Sequence, residues 1–185
     1  MSMMQLRLQA LMAAATMVLF VAMLAINEWL FNRSEFVRGI NWIYLPAGVR
    51  LLSTLLFAEA GAVGLLLVSW LLYFFYFFPD DPARSFAGGI LAALGPYLVY
   101  RAAQHCYGLH TSLATLTPKR LLILILAYSL ASPLLMHLLL AWQGHEGLVK
   151  SFLVMFIGDL SGTLLVIYTA KAALFFIPTH STRLR

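Results

Sequence analysis

Apolar residues in this chain come in long unbroken runs, not in the alternating or one-faced patterns of a soluble domain. The runs predict helices at about 8–26, 43–57, 60–78, 86–100, 121–142 and 151–177. Several are long enough for a bilayer crossing, which takes ~20 residues, although the second is short. Polar stretches separate them: Asn27 to Arg38, the turn Pro79-Asp80-Asp81-Pro82, Arg101 to Arg120, and Gln143 to Lys150. Glu59 and Gly61 mark the junction of the second and third helices. Gly88-Gly89 and Gly95-Pro96 predict that the fourth is broken or kinked, which a membrane tolerates only where freed backbone groups meet protein or water. The run Tyr73-Phe74-Phe75-Tyr76-Phe77-Phe78 reads as an aromatic belt at a membrane surface.

Composition sharpens this picture. Of 185 residues, 62% are hydrophobic and only 10% charged, with a mean hydropathy of +0.89. A soluble domain has about 45–50% apolar and about 25% charged residues. The expected fold class is therefore all-α: a polytopic integral membrane helix bundle of about six transmembrane helices, forming a single domain over 1–185. A membrane β-barrel would show short alternating strands instead. The formal charge of +5 sits mostly at the edges of the apolar runs, where it sets topology and does not point to nucleic acid. Six spans place both termini on one side, with Arg7, Arg101, Lys119, Arg120, Lys171, Arg183 and Arg185. The other side collects Arg33, Arg38, Arg84 and Lys150 with Glu28, Glu35, Asp80, Asp81 and Glu146. The bias predicts an N-in, C-in protein. The first run has no small-residue cleavage site before Asn27-Glu28 and is read as a retained helix. The single cysteine, Cys106, excludes an internal disulfide.

Against so apolar a background, charges inside the runs carry the chemistry. Arg50 follows Pro46 and Gly48 in the second helix, and an arginine facing hydrocarbon costs at least ~2.5–3.5 kcal/mol. Asp159, in Gly158-Asp159-Leu160-Ser161-Gly162, lies at matching depth in the sixth helix. Each group is about 10–12 Å below the outer boundary at 1.5 Å per residue. A direct Arg50–Asp159 pair is expected, with Gly158 and Gly162 allowing close helix approach. Glu59 and Lys171 form a second expected pair nearer the cytoplasm, within reach of a snorkelling lysine. This column has three readings: an ion pair that locks helices, a pocket offering Arg50 to an anionic or carbonyl-bearing ligand, or a proton or ion path. His105 and His110 lie in a loop without acidic or thiol company, and His137 has no partner histidine at matched depth. Neither haem nor a metal is expected. The serines and threonines within helices read as interhelical hydrogen-bonders, and no nucleophile–base arrangement or phosphate loop is present. No enzyme activity and no cofactor are expected.

Two stretches carry a resemblance. Asn41-Trp42-Ile43-Tyr44-Leu45-Pro46-Ala47-Gly48, with Gly61 and Gly64, resembles the Trp/Pro/Gly signature of the first MASE-type (membrane-associated sensor) domain of bacteria. Phe156 to Leu165, with Gly158-Asp159-x-x-Gly162, is similar to the Gly-Asp-x-x-Gly segment near the end of such domains. The resemblance covers about a third of the chain. It implies a sensory or ligand-responsive module in the bacterial inner membrane and singles out Pro46, Gly48, Gly158, Asp159 and Gly162. The chain departs from that pattern in having about six spans in place of eight, in Arg50, and in ending at Arg185 without an output domain. The expected function is a stand-alone sensor-like or accessory subunit, surrounded by lipid, that signals through a separate protein partner and binds a small ligand near Arg50 and Asp159. The alternatives are a small-solute transport or substrate-binding component, and a purely structural subunit of a membrane complex.

Overall fold

In the computed structural model, which describes residues 2–108 and 116–176, the apolar runs form five helices. These are α1 (Met3–Phe31), α2 (Pro46–Leu72), α3 (Pro82–Tyr107), α4 (Pro118–Trp142) and α5 (Leu148–Phe176). All five are long and apolar enough to cross a membrane, α2 together with the turn that follows it. Five helices stand where six runs were expected, because the segments foreseen at 43–57 and 60–78 are joined in one element, α2. Within α2 a single residue, Ala58, leaves helical geometry at φ 52° and ψ −127°. The chain reverses there: a Cβ on Gly61 would overlap the carbonyl of Ser53, although eight residues of continuous helix would separate the two by about 12 Å. Arg50, in the first half, and Tyr73, just past the end of the second, consequently line one cavity. α2 is thus a tight hairpin of two limbs.

The backbone of Ala58 lies where glycine is at ease and a Cβ is crowded. Ala58→Gly is therefore expected to stabilise the folded protein by about 0.5–1 kcal/mol, read as a higher midpoint for thermal unfolding in detergent. An unchanged or lower midpoint would show that the turn carries no strain.

Other boundaries moved for local reasons. α1 continues through Asn27 to Phe31, so the first loop is shorter than expected; a single 3-10 turn (Asn32–Ser34) and an antiparallel hairpin follow it. The hairpin pairs β1 (Glu35–Val37) with β2 (Ile40–Asn41), and Gly39 turns it at φ 81°. α3 is one continuous helix and not a broken one, despite Pro96. Its glycines serve packing: at Gly88 and Gly89 a side chain would overlap the rings of Tyr73 and Trp70. The aromatic run divides between core and surface. A π-turn (Tyr73–Phe77) buries Tyr73 and Phe77 and leaves Phe75 exposed. His110, Arg183 and Arg185 lie outside the described residues.

The bundle has two distinct ends. One carries the β-hairpin, the π-turn and the α4–α5 connection, where Lys150 sits 5.0 Å above the Phe36 ring. The other carries the Ala58 reversal and the far end of α3, where Arg101 meets Glu59 at 3.8 Å.

Candidate functional site

The chain between β2 and α2, residues 42–45, is not helical, and most of its backbone groups find partners in neighbouring segments. The Tyr44 N–H donates to the Gly158 carbonyl (3.1 Å), and the Leu45 N–H donates to Asn27 Oδ1 (2.8 Å). The Ser161 hydroxyl donates to the Trp42 carbonyl at 3.2 Å. Such irregular backbone inside a membrane protein persists only where protein or water takes up the freed groups. α5 comes this close because Gly158 and Gly162 carry no side chain. A Cβ on the first would overlap the Asn41 carbonyl, and one on the second the Tyr44 carbonyl. One turn further along, Val166 packs on Gly48. The two stretches singled out in the sequence are therefore directly in contact. Pro46 opens α2 in its first turn, where a missing N–H costs no helical bond.

This ledge positions the charges. Arg50 is 4% exposed and Asp159 1% exposed, and both line one cavity of about 30 Å³. That is room for about two water molecules. The expected direct pair does not form: among the described residues the only ion pair within 4.0 Å is Arg101–Glu59. Aromatic rings hold the guanidinium instead, with Cζ 5.2 Å from the Phe20 centroid and 5.3 Å from that of Tyr44. Charged guanidinium over a ring face is attractive and leaves the N–H edge free. Arg50 Nε and Asp159 Oδ2 are buried without a hydrogen-bond partner, and the Tyr128 hydroxyl stands beside Arg50.

The second expected pair is corrected outright. Glu59 sits at the reversal and meets Arg101 of α3, both more than half exposed, while Lys171 is exposed on α5. The physical reason is the hairpin: the tight turn at Ala58 brings Glu59 against the descending end of α3.

The cavity has further polar residues that the sequence did not single out. Arg38, Gly39 and Asn41 from the hairpin, Tyr73 from the π-turn and Arg84 from α3 share its lining with Arg50 and Asp159. Arg38 caps the π-turn, its Nε donating to the Phe77 carbonyl (3.0 Å) and its Nη2 to that of Tyr76. Cations suit such a helix end, where carbonyls lack partners. Arg84 stands 3.8 Å over the Phe78 ring and keeps a buried, unpartnered Nε. In the sequence Arg38 and Arg84 look like topology charges, and only the chain's return to the same end reveals them as lining. Asn27 had a signal, a polar residue closing an apolar run, but it read as the start of a loop.

Other polar groups are accounted for locally. His137 uses both ring nitrogens, one 2.8 Å from the Pro133 carbonyl and the other 2.9 Å from the Ser151 hydroxyl. Among the described residues no three His, Cys, Asp or Glu side chains gather as a metal site.

Fold and site together define a multi-pass helical membrane protein with a small, buried, arginine-rich cavity near one end of the bundle. Family models, curated proteins and solved structures were all compared with the chain, and none matches it.

Proposed function

We propose that this protein is a sensor-like or accessory module of the bacterial inner membrane that binds a small ligand between Arg50 and Asp159 and acts on a separate protein partner. The observation that carries the reading is Arg50 itself: a buried guanidinium with an unpartnered Nε, in a cavity that also holds an unpartnered carboxylate oxygen. Buried polar groups are nearly always satisfied, and an orphan in a cavity marks a place for a bound species. Intramembrane ionisable residues are costly and are kept where they serve a function.

Orientation follows from charge. Among the described residues, the reversal end has Arg7, Arg101, Lys119, Arg120 and Lys171 against Glu59. The hairpin end has Arg33, Arg38, Arg84 and Lys150 against Glu28, Glu35, Asp80, Asp81 and Glu146. The basic end faces the cytoplasm, which makes the protein N-in and C-in with six membrane passes once the two limbs of α2 are taken separately. The cavity then faces outward and the partner surface inward, around Arg101 and Arg120. Contact between the Asn41–Gly48 and Gly158–Gly162 stretches supports kinship with the first MASE-type sensor domain, because the residues that carry the resemblance serve one packing purpose.

The test is a mild-detergent pull-down of tagged protein from its native membrane, with mass spectrometry of retained proteins and small molecules. A stoichiometric protein partner is expected. Recovery of the protein alone from several detergents would overturn the accessory reading.

A second reading is solute transport, favoured by unpartnered buried hydroxyls that continue along α4 and α5 beyond the cavity: Ser129 and Thr163. Transport predicts uptake into vesicles containing the purified protein alone, whereas the sensor reading predicts none.

A further inference from the structure

Charge count and wall chemistry restrict what the cavity holds, and this inference rests on the ligand site proposed above. Three arginines, Arg38, Arg50 and Arg84, line it against one carboxylate, Asp159. The lining is therefore positive, and in a poorly solvated site such an excess is a strong attraction for an anion. Arg38 is committed to the carbonyls of the π-turn, which leaves Arg50 and Arg84, each with a free buried Nε, as donors. Tyr73 stands within electrostatic reach of both. The remaining wall is largely apolar, made by Phe77, Phe78, Met136, Leu140 and Met155.

We infer that the cavity is a site for a small, weakly hydrated monoanion of the size of a halide, nitrate or formate, reached from the hairpin end past Arg84 and held at Arg50. Three observations converge on that class. The volume of about 30 Å³, room for about two waters, suits an anion of a few atoms better than a larger organic acid. Apolar walls cannot replace the water shell of sulfate or phosphate, whose second charge would also meet Asp159. A monoanion balances part of the arginine excess and gives acceptors to the free N–H groups, which no neutral solute does as well. Asp159 is the one acidic group on the lining, so the anion is held on the arginine side of the cavity.

The experiment uses the full chain in detergent micelles, in sodium gluconate at constant ionic strength. Gluconate is replaced stepwise by sodium chloride, nitrate or formate, and in parallel by sulfate or by a larger carboxylate, benzoate. A bound ligand raises the unfolding midpoint saturably, as mass action requires. Chloride, nitrate or formate is expected to do so, and sulfate and benzoate are not. Arg84→Gln, at the partly exposed mouth, is expected to weaken half-saturation at least about tenfold while the protein still folds. Arg50→Lys keeps the charge but loses the fork, and is expected to weaken nitrate and formate more than chloride. Saturable stabilisation by benzoate or sulfate alone would overturn the small-monoanion class and leave the ligand site standing. No saturable response to any of the five salts would overturn the ligand site as well. A response unchanged in both variants would place binding elsewhere.

Discussion

Gly162→Val is expected to prevent recovery of a folded, monodisperse protein from the membrane. The α carbon of Gly162 faces the Tyr44 carbonyl so closely that any Cβ overlaps it, and the obstacle is backbone, which cannot turn aside as a side chain can. Overpacking a core usually costs about 1–3 kcal/mol, and more where nothing can yield. Here the ledge must separate from α5, which also breaks the Tyr44 N–H bond to the Gly158 carbonyl and lifts Trp42 from Ser161. The cost is therefore placed at or above ~3 kcal/mol, a large part of a small protein's whole stability. Size-exclusion profiles of fluorescently tagged protein in mild detergent provide the measurement, with Leu165→Ala on the exposed face of the same helix as the control. A normal profile for Gly162→Val would mean that α5 and the 42–45 segment do not pack as described.

The second large effect concerns the two buried charges. Removing one member of a buried charged pair leaves the other uncompensated, at a cost of about 3–5 kcal/mol. Arg50→Ala should sit at the upper end, because it also empties the space between the Phe20 and Tyr44 rings. Asp159→Ala should cost less, since it leaves an arginine still held by those rings, though with more positive charge around it. The double variant is expected to cost less than the sum by about 0.5–3 kcal/mol, the range found for groups that share a cavity. Chemical or thermal denaturation of the four proteins in one detergent measures the cycle. Strict additivity would show that the two charges do not sense each other across the cavity.

Much of this was legible in one dimension, for reasons that can be named. Arg50 and Asp159 came together because helices have a fixed rise, so counting residues from each boundary places both at one depth. Counting depth cannot reveal what else occupies that level, and the guanidinium packs on the rings of Phe20 and Tyr44 while no direct pair forms. Glu59 and Lys171 were matched by the same arithmetic and still missed, because depth says nothing about which face of a helix a residue takes. The junction near Glu59 was visible, but its character was not: Ala58 turns the chain with no glycine, proline or asparagine at the turning residue itself. Arg38 and Arg84 were assigned to the membrane surface, where charge is common, and no local pattern separates a surface arginine from one at the mouth of a cavity. The glycines of α3 misled in the opposite direction. A pair of glycines and a Gly-Pro step look like breaks, yet Gly88 and Gly89 make room for the rings of Tyr73 and Trp70 in a helix that continues without interruption.

The short first limb of α2 bears on how this protein is made. From Pro46 to the reversal at Ala58 it is about 18 Å long, well under a hydrocarbon thickness of ~30 Å, and it carries Arg50. A segment so short and so charged has little tendency to leave the insertion machinery for lipid by itself. Its shelter comes from both directions along the chain: Phe20 and Asn27 are already present in α1, whereas Gly158, Asp159 and Gly162 belong to α5, made about a hundred residues later. Before α5 arrives, α1 and α3 already pack against α2, but the 42–45 segment that leads into it still lacks its α5 neighbour. During synthesis the arginine-bearing half-span is therefore expected to pack first on α1 and α3, with the 42–45 segment fixed only once α5 reaches it.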